Sequence, residues 1–346
     1  MDLLEIETGR SFALLAVAED VAPEEIEALA VSLDPTAGWL MPGLLHLTGE
    51  ASLTGPWAVD NATRMALELP AWTAQAYLLR CPQVRSGPLP VQLYGADPLM
   101  DLFPAGVPAG DELAALGMLR RMARRLAGAL RVADSPQRPG AGVLVPDPDS
   151  AVNMTVYAPI WLEEPAALAV LNTVHLPFTS LPEPDLDAAP AAASAARSRV
   201  QNRGVALARA ASADMSEEER AELHARVDAA DAAALSRPAV RVGYNLRLPG
   251  RSYQIDLAAT GEENPPLVIQ GEEWAPAGVV CYQLRWLPND YTMTGPVRVP
   301  RSVRRDRLVA AQQIESAADA LAQASGGRVV DEDGFLVEFV PEEDAN

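Results

Sequence analysis

The fold is decided by residues 301–340, which read RSVRRDRLVAAQQIESAADALAQASGGRVVDEDGFLVEFV. Apolar residues recur here at steps of three and four, the spacing of one buried helix face, at Leu308, Ala311, Ile314, Ala318 and Leu321. We expect the helix to end at Gly326-Gly327, because glycine readily takes the left-handed conformation that closes helices. Two strand segments follow, and Asp333-Gly334 between them favours a tight hairpin turn. The stretch therefore predicts a long amphipathic helix followed by a β-hairpin.

The same order of elements occurs once before in the chain. A helix face is formed by Leu116, Leu119, Met122, Leu126 and Leu130. Residues 131–134 and 142–146 then read as strand segments on either side of a Pro/Gly turn. Residues 126–134 align with residues 321–331 once a two-residue gap is allowed. This alignment predicts an internal duplication in which Leu126 and Leu321 are equivalent buried residues.

Each half of the chain reads strand, helix, several strands, helix, strand. In residues 1–150 the first strand is Phe12–Ala18, and Pro23 opens the first helix. In residues 151–346, Met154–Trp161 and Pro165 take these places. The other strand candidates of the first half are Leu44–Leu47, Arg64–Leu69, Gln75–Arg80 and Val91–Tyr94.

This order resembles the split β-α-β arrangement of ferredoxin-like domains, in which two helices cover one face of an antiparallel sheet. The resemblance implies an α+β protein with two such halves, residues 1–150 and 151–346. Residues 183–237 interrupt the second half and are rich in alanine, and Ser216-Glu-Glu-Glu219 within them is a capping-box signature. We therefore expect an inserted helical hairpin that either covers a sheet face or projects from it.

Composition argues against several classes of partner and reaction. The chain has 346 residues and a net charge of −20, and all 27 of its basic residues are arginine. Nucleic acids and anionic membranes both attract proteins through excess cationic charge, so neither is expected as a partner. Without lysine, the chain lacks the amine of Schiff-base enzymes and the lysine of a Walker A loop.

No sequence pattern indicates a metal or a cofactor. His46, His175 and His224 are far apart, and none belongs to a metal-binding spacing. Cys81 and Cys281 are too few for a disulfide framework and are expected as buried thiols. The first seven residues carry negative charge where a signal peptide needs positive charge, and no apolar run is long enough to span a membrane. We expect a cytoplasmic protein with no cofactor.

Two clusters of arginines on the repeated helices are the candidate binding residues, together with two aromatic residues beside a turn. They are Arg120, Arg121, Arg124, Arg125, Arg301, Arg304, Arg305, Trp286 and Tyr291. Like charges four residues apart cost a helix a few tenths of a kcal/mol. Two interpretations of the arginines stay open, because they can pair with the protein's own carboxylates or bind an anion or an acidic partner. The aromatic residues fit either core packing or the edge of an interface.

Missing catalytic signatures, the repeat and the insertion favour a non-enzymatic protein-interaction or regulatory protein with a protein partner. The alternative is a protein that binds a small ligand or anion in the cleft between the halves, with the arginine-bearing helices. A carboxylate-dependent enzyme is a third hypothesis, because 47 acidic residues leave room for an acid–base pair.

Overall fold

A computed structural model describes residues 1–134, 142–181, 243–289 and 300–339, together with the single residues 216 and 221. The chain divides into two compact units, Met1–Ser180 with Tyr244–Asn346, and Leu181–Gly243. The predicted helical hairpin at 183–237 lies outside the described residues, except for its two single positions.

The first unit contains two seven-stranded sheets and seven α-helices within the described ranges. The helices are α1 Ile6–Ser11, α2 Pro23–Leu33, α3 Asn61–Ala66, α4 Gly110–Arg125, α5 Glu164–Thr173, α6 Leu267–Gln270 and α7 Arg301–Ser325. The N-terminal sheet consists of β1 Ala13–Val17, β2 Gly38–Met41, β3 Leu44–Thr48, β4 Ala51–Ala58, β5 Gln75–Arg80, β6 Ala129–Arg131 and β7 Val143–Leu144. The C-terminal sheet consists of β8 Met154–Ala158, β9 Thr179–Ser180, β10 Gly243–Pro249, β11 Tyr253–Glu262, β12 Val279–Pro288, β13 Arg328–Asp331 and β14 Leu336–Val337.

The two sheets have the same strand order. The N-terminal sheet runs β2-β3-β4-β5-β1-β6-β7, and the C-terminal sheet, read in the matching direction, runs β9-β10-β11-β12-β8-β13-β14. In each sheet the first strand lies between two later strands and pairs antiparallel with both. One helix follows the first strand and a second helix precedes its last neighbour, which is the split β-α-β arrangement. The predicted α+β fold with two antiparallel sheets is therefore confirmed.

The helices α4 and α7 end in the same way. Ala127 and Gly326 have φ angles of +48° and +66°, the left-handed conformation that closes a helix. The next residue, Gly128 or Gly327, donates its amide to the carbonyl five residues earlier, at 2.7 or 2.9 Å. A Cβ atom on these two glycines would lie 2.8 or 2.6 Å from a carbonyl oxygen of the sheet's first strand. Glycine is required at both places because the chain passes so close to that strand.

These matched turns correct the sequence alignment of the two helices. They make Met122 the counterpart of Leu321, and both side chains are fully buried. Leu126, which the alignment had paired with Leu321, lies one helical turn later and is only half-buried. Helix α4 ends at Arg125, so Leu130 belongs to β6 rather than to the helix. The pairing of Leu126 with Leu321 was wrong because it matched similar residues instead of the glycines at which the chain turns.

Among the residues that the structure describes, helices of the same half cover both faces of the N-terminal sheet but only part of the second face of the C-terminal sheet. On the N-terminal sheet, α2 and α4 pack on the face of Leu15, and the buried residues around α1 and α3 pack on the face of Leu14. On the C-terminal sheet, α5 and α7 cover the face of Val156. The short helix α6 covers one end of the opposite face, beside Val330. The rest of that face is where the candidate site lies.

Two predicted strands of the first half are wrong. Residues 64–69 do not form a strand, because α3 occupies the start of this segment and Asp60 caps that helix by accepting the Thr63 amide at 2.7 Å. Residues 91–94 contain a 3₁₀ turn, Val91–Leu93. Strands β2 and β4 fill these places in the sheet.

Candidate functional site

A cleft of about 500 Å³ lies between α4 and the face of the C-terminal sheet opposite α5 and α7. Its floor comes from alternate residues of β8 and β12, because successive side chains of a strand point to opposite faces. The β13–β14 turn and the residue before α6 complete its rim. This volume is in the range of small-molecule sites. We call it the α4–sheet cleft.

Two arginines line the α4–sheet cleft without a carboxylate partner. Arg121 comes from α4, and Arg285 comes from β12. Within the described part of the chain, neither side chain forms an ion pair. Asp256 stands directly opposite Arg285 on β11, but its two carboxylate oxygens accept from Arg247 at 2.6 and 2.7 Å. The charge of Arg285 is therefore left for another group.

Between the arginines the floor carries uncharged polar groups. Thr155 and Gln283 are paired across β8 and β12, and Tyr157 follows on β8. Among the described residues, none of these three side chains forms a hydrogen bond. Burial raises the pKa of Tyr157 to about 12, so its hydroxyl stays a neutral donor at physiological pH. The floor thus offers several free donors and acceptors.

The acidic residues of the rim are paired with two arginines of α4. Arg124 donates to both carboxylate oxygens of Asp333 and, at 2.8 Å, to Glu332. Arg125 lies 3.6 Å from the carboxylate of Asp331. We call these five residues the 331–333 ion-pair cluster. It ties the arginine face of α4 to the β13–β14 turn.

Asp331 has a structural role that explains its position at the rim. Burial raises its pKa, and repulsion by Asp333 acts in the same direction. Its Oδ1 atom accepts the backbone amides of Asp333 and Phe335, each at 2.9 Å. This carboxylate therefore holds the turn together, and the raised pKa alone is no sign of acid–base chemistry.

The N-terminal sheet shows what the same face looks like without a cleft. The pair that corresponds to Thr155 and Gln283 is Leu14 and Leu78, and both leucines are buried. The counterpart of Tyr157 is Ala16, which is also buried. The C-terminal sheet thus carries polar residues at three positions whose counterparts in the N-terminal sheet are apolar.

The structure separates the predicted arginines into paired and unpaired ones. Arg120 forms an exposed ion pair with Asp97 at 3.0 Å, and Arg124 and Arg125 belong to the 331–333 ion-pair cluster. Of the four predicted on α4, Arg121 alone lines the cleft. In the second predicted cluster, Arg301, Arg304 and Arg305 are exposed at the start of α7, and none forms an ion pair in the described ranges.

Trp286 and Tyr291 were predicted as one aromatic pair. Trp286 lies at the edge of the cleft, where its backbone amide donates to Asn153 at 2.8 Å. Its ring packs on the side of the sheet covered by α7, and the Arg307 guanidinium lies 5.8 Å from the ring centroid. The side chain therefore belongs mainly to the core, while Tyr291 lies outside the described residues.

Sequence reasoning missed Arg285, Thr155, Tyr157 and Gln283. The available signal was the alternation of polar and apolar residues along β8 and β12, which is also the pattern of an ordinary solvated sheet face. Only the packing of α4 above this face turns the pattern into a cleft.

The described ranges contain no group of His, Cys, Asp and Glu that could hold a metal ion. These ranges also contain no helix that is long and apolar enough to cross a membrane. Comparison with protein-family models, with curated proteins and with solved structures finds no match for the chain.

Proposed function

We propose that this protein binds a small organic anion in the α4–sheet cleft and has a non-enzymatic, regulatory role. The observation that carries the proposal is the pair of cleft arginines, Arg121 and Arg285, which lack a carboxylate partner in the described residues of a chain with a net charge of −20. A guanidinium group matches a carboxylate or phosphate in bidentate geometry. A bound anion would provide the negatively charged partner that these two arginines lack among the described residues.

The local charge balance favours an anion even though acidic residues line the rim. Two arginines and three carboxylates line the cleft, and Arg124 and Arg125, which do not line it, pair with those carboxylates. Since Arg124 and Arg125 offset two of these three negative charges, the two cleft arginines leave the site with a net charge of +1.

A thermal-shift experiment on the full chain tests the proposal. A panel of small carboxylates and phosphate esters should contain at least one anion that raises the melting temperature in proportion to its concentration. Changing either Arg121 or Arg285 to Gln should abolish the shift. Arg80→Gln is a matched control, because Arg80 occupies the place of Arg285 in the N-terminal sheet and lies over the Phe12 ring. A panel with no stabilising anion, or a shift that survives both cleft changes, would reject the proposal.

A protein partner is the second candidate function, and a surface on α7 favours it. Arg301, Arg304 and Arg305 are exposed there, and Leu308 and Val309 beside them are 51% and 41% exposed. Arginines that form no ion pair within the described ranges, next to exposed apolar side chains, suit an acidic, partly apolar protein segment. Capture of a specific protein from native lysate, lost when the three arginines are changed to Gln, would support this function.

The matching strand orders and helix ends support two further proposals, an internal duplication and a division into halves at about residue 150. We also propose that the protein acts in the cytoplasm without nucleic-acid partners, on the strength of its acidic composition. The insertion at 183–237 stays a prediction as a dispensable arm, which a deletion variant would test by its solubility and melting curve.

A further inference from the structure

We infer that the ligand of the α4–sheet cleft is a short dicarboxylate that also carries a hydroxyl or oxo group. This inference rests on the proposed anion-binding function and adds the chemical class of the ligand. It follows from three features of the cleft: two separate cationic elements, side-chain donors without a backbone amide cradle, and an uncharged polar floor.

The two arginines reach the cleft from different elements, since Arg121 lies on α4 and Arg285 on β12. Side chains held by a helix on one wall and a strand on the other suit a ligand with an anionic group at each end. Rim carboxylates limit the charge that the ligand can bring, because Asp331, Glu332 and Asp333 also line the cleft. These carboxylates would repel a triphosphate much more strongly than a dianion, which has one charge for each cleft arginine.

The donors of the cleft favour carboxylates over phosphate groups. Phosphate sites commonly use several free backbone amides, at a helix N-terminus or in a glycine-rich loop. In the turn that lines this cleft, the amide of Asp333 donates to the Asp331 side chain at 2.9 Å, and that of Gly334 donates to the Asp331 carbonyl at 3.1 Å. Pro266, which precedes α6, has no amide hydrogen to offer. The cleft therefore presents side-chain donors, and planar guanidinium groups match planar carboxylates.

The floor indicates a polar group between the two ends of the ligand. Thr155, Tyr157 and Gln283 carry hydroxyl and amide groups that have no hydrogen-bond partner among the described residues. A purely aliphatic middle would desolvate these groups without replacing their hydrogen bonds with water. A hydroxyl or oxo group in the ligand would pair with them, and the residues at the same positions of the N-terminal sheet are apolar.

Isothermal titration calorimetry on the full chain tests this class, with malate, succinate, glycerol 3-phosphate and ATP as probes. We expect malate to bind most tightly and succinate more weakly, because succinate lacks the hydroxyl. Arg121→Gln and Arg285→Gln should each weaken malate binding by about 10- to 100-fold, the effect of losing a charge-assisted hydrogen-bonding partner. Arg80→Gln should leave the affinity unchanged. The variant Gln283→Leu, which introduces the residue of the N-terminal sheet, should bring malate down to the affinity of succinate.

The outcomes separate the two proposals. Tighter binding of glycerol 3-phosphate or ATP, lost with the same two arginines, would keep the anion site and overturn the dicarboxylate class. Dependence on one arginine only, or equal affinity for malate and succinate, would also overturn the class. If none of the four probes and no other anion of the panel binds, the anion site itself is rejected. Circular dichroism and melting curves of each variant show whether it is folded, and both cleft arginines are exposed, so their replacement should not affect folding.

Discussion

Removal of Arg124 tests whether the 331–333 ion-pair cluster holds α4 to the C-terminal sheet. The most informative change is Arg124→Met, which keeps much of the aliphatic stem and deletes the guanidinium group. The Asp333 carboxylate is only 8% exposed, and the Arg124 side chain is 20% exposed. Without Arg124, Asp333 becomes a nearly buried charge that has lost its bidentate partner.

The magnitude follows from how much of each contact is buried. Breaking a fully buried ion pair by removing one partner costs about 3–5 kcal/mol. The Glu332 contact is more exposed, and contacts of that kind contribute about 0–1 kcal/mol. Because Arg124 keeps some contact with solvent, we discount the larger figure and expect Arg124→Met to lower the free energy of unfolding by about 2–4 kcal/mol.

Urea denaturation at neutral pH measures this difference, and Arg120→Met provides the control. Arg120 lies on the same helix and pairs with Asp97, but the two side chains are 39% and 38% exposed, so its loss should cost about 0–1 kcal/mol. A double-mutant cycle of Arg124→Met with Asp333→Asn should give a clear coupling energy, since the two groups share one contact. Equal costs for the Arg124 and Arg120 variants, or zero coupling, would refute the claim that the cluster joins these elements.

Three further predictions compare a variant with a matched reference protein. Tyr282→Phe should cost about 1–3 kcal/mol, because its hydroxyl donates to Ile160 and accepts from Leu162. Tyr77→Phe should be neutral or stabilising, because the buried Tyr77 hydroxyl has no hydrogen-bond partner among the described residues. Urea denaturation would compare the two variants, and a larger cost at Tyr77 would contradict the assignment. Changing the fully buried Met122 or Leu321 to Ala should lower the free energy of unfolding by about 2–5 kcal/mol each, and Leu126→Ala should cost less. A larger loss for Leu126→Ala than for Met122→Ala would instead support Leu126 as the counterpart of Leu321. Because the pKa of Asp331 is raised, the folded state takes up this proton at a higher pH than the unfolded state, and stability is gained as the pH falls through the folded pKa towards the ordinary value of 3.8. Asp331→Asn lacks this gain and should therefore lose more stability than the wild type on acidification. Parallel profiles of unfolding free energy against pH would contradict the prediction.

The central elements of both sheets could be predicted because local patterns specify them. The 3.6-residue periodicity of α7, the glycines at its end and the Asp333-Gly334 turn act within a few residues of each other. Strands β1, β5, β8 and β12 have continuous apolar runs or apolar–polar alternation, which are typical of strands with two buried faces or one. By contrast, β4 contains Gly55-Pro56, a dipeptide that reads as a turn. It stays in the sheet through a register shift between Thr54 and Trp57, which only pairing with β5 reveals.

The candidate site could be predicted only in part from the sequence, because contacts between distant segments decide which arginines line the cleft. Arg121 and Arg124 are indistinguishable as helix arginines, yet Arg124 is paired with Asp333 and Arg121 is not. That difference depends on two segments about two hundred residues apart in the chain. Arg285 was overlooked for a similar reason, since an arginine on the polar side of a strand is ordinary until a helix packs above it.

The position of β1 and β8 has a consequence for synthesis on the ribosome. Both strands are made early in their halves but occupy the middle of a sheet, where their second neighbours are β6 and β13. The N-terminal sheet can close once β7 has emerged, whereas β8 keeps one unpaired edge until Arg328–Asp331 is made. An unpaired edge beside an apolar core invites pairing with other chains. Nascent chains stalled before residue 328 should therefore be protease-resistant in the first half and should need a chaperone over the second.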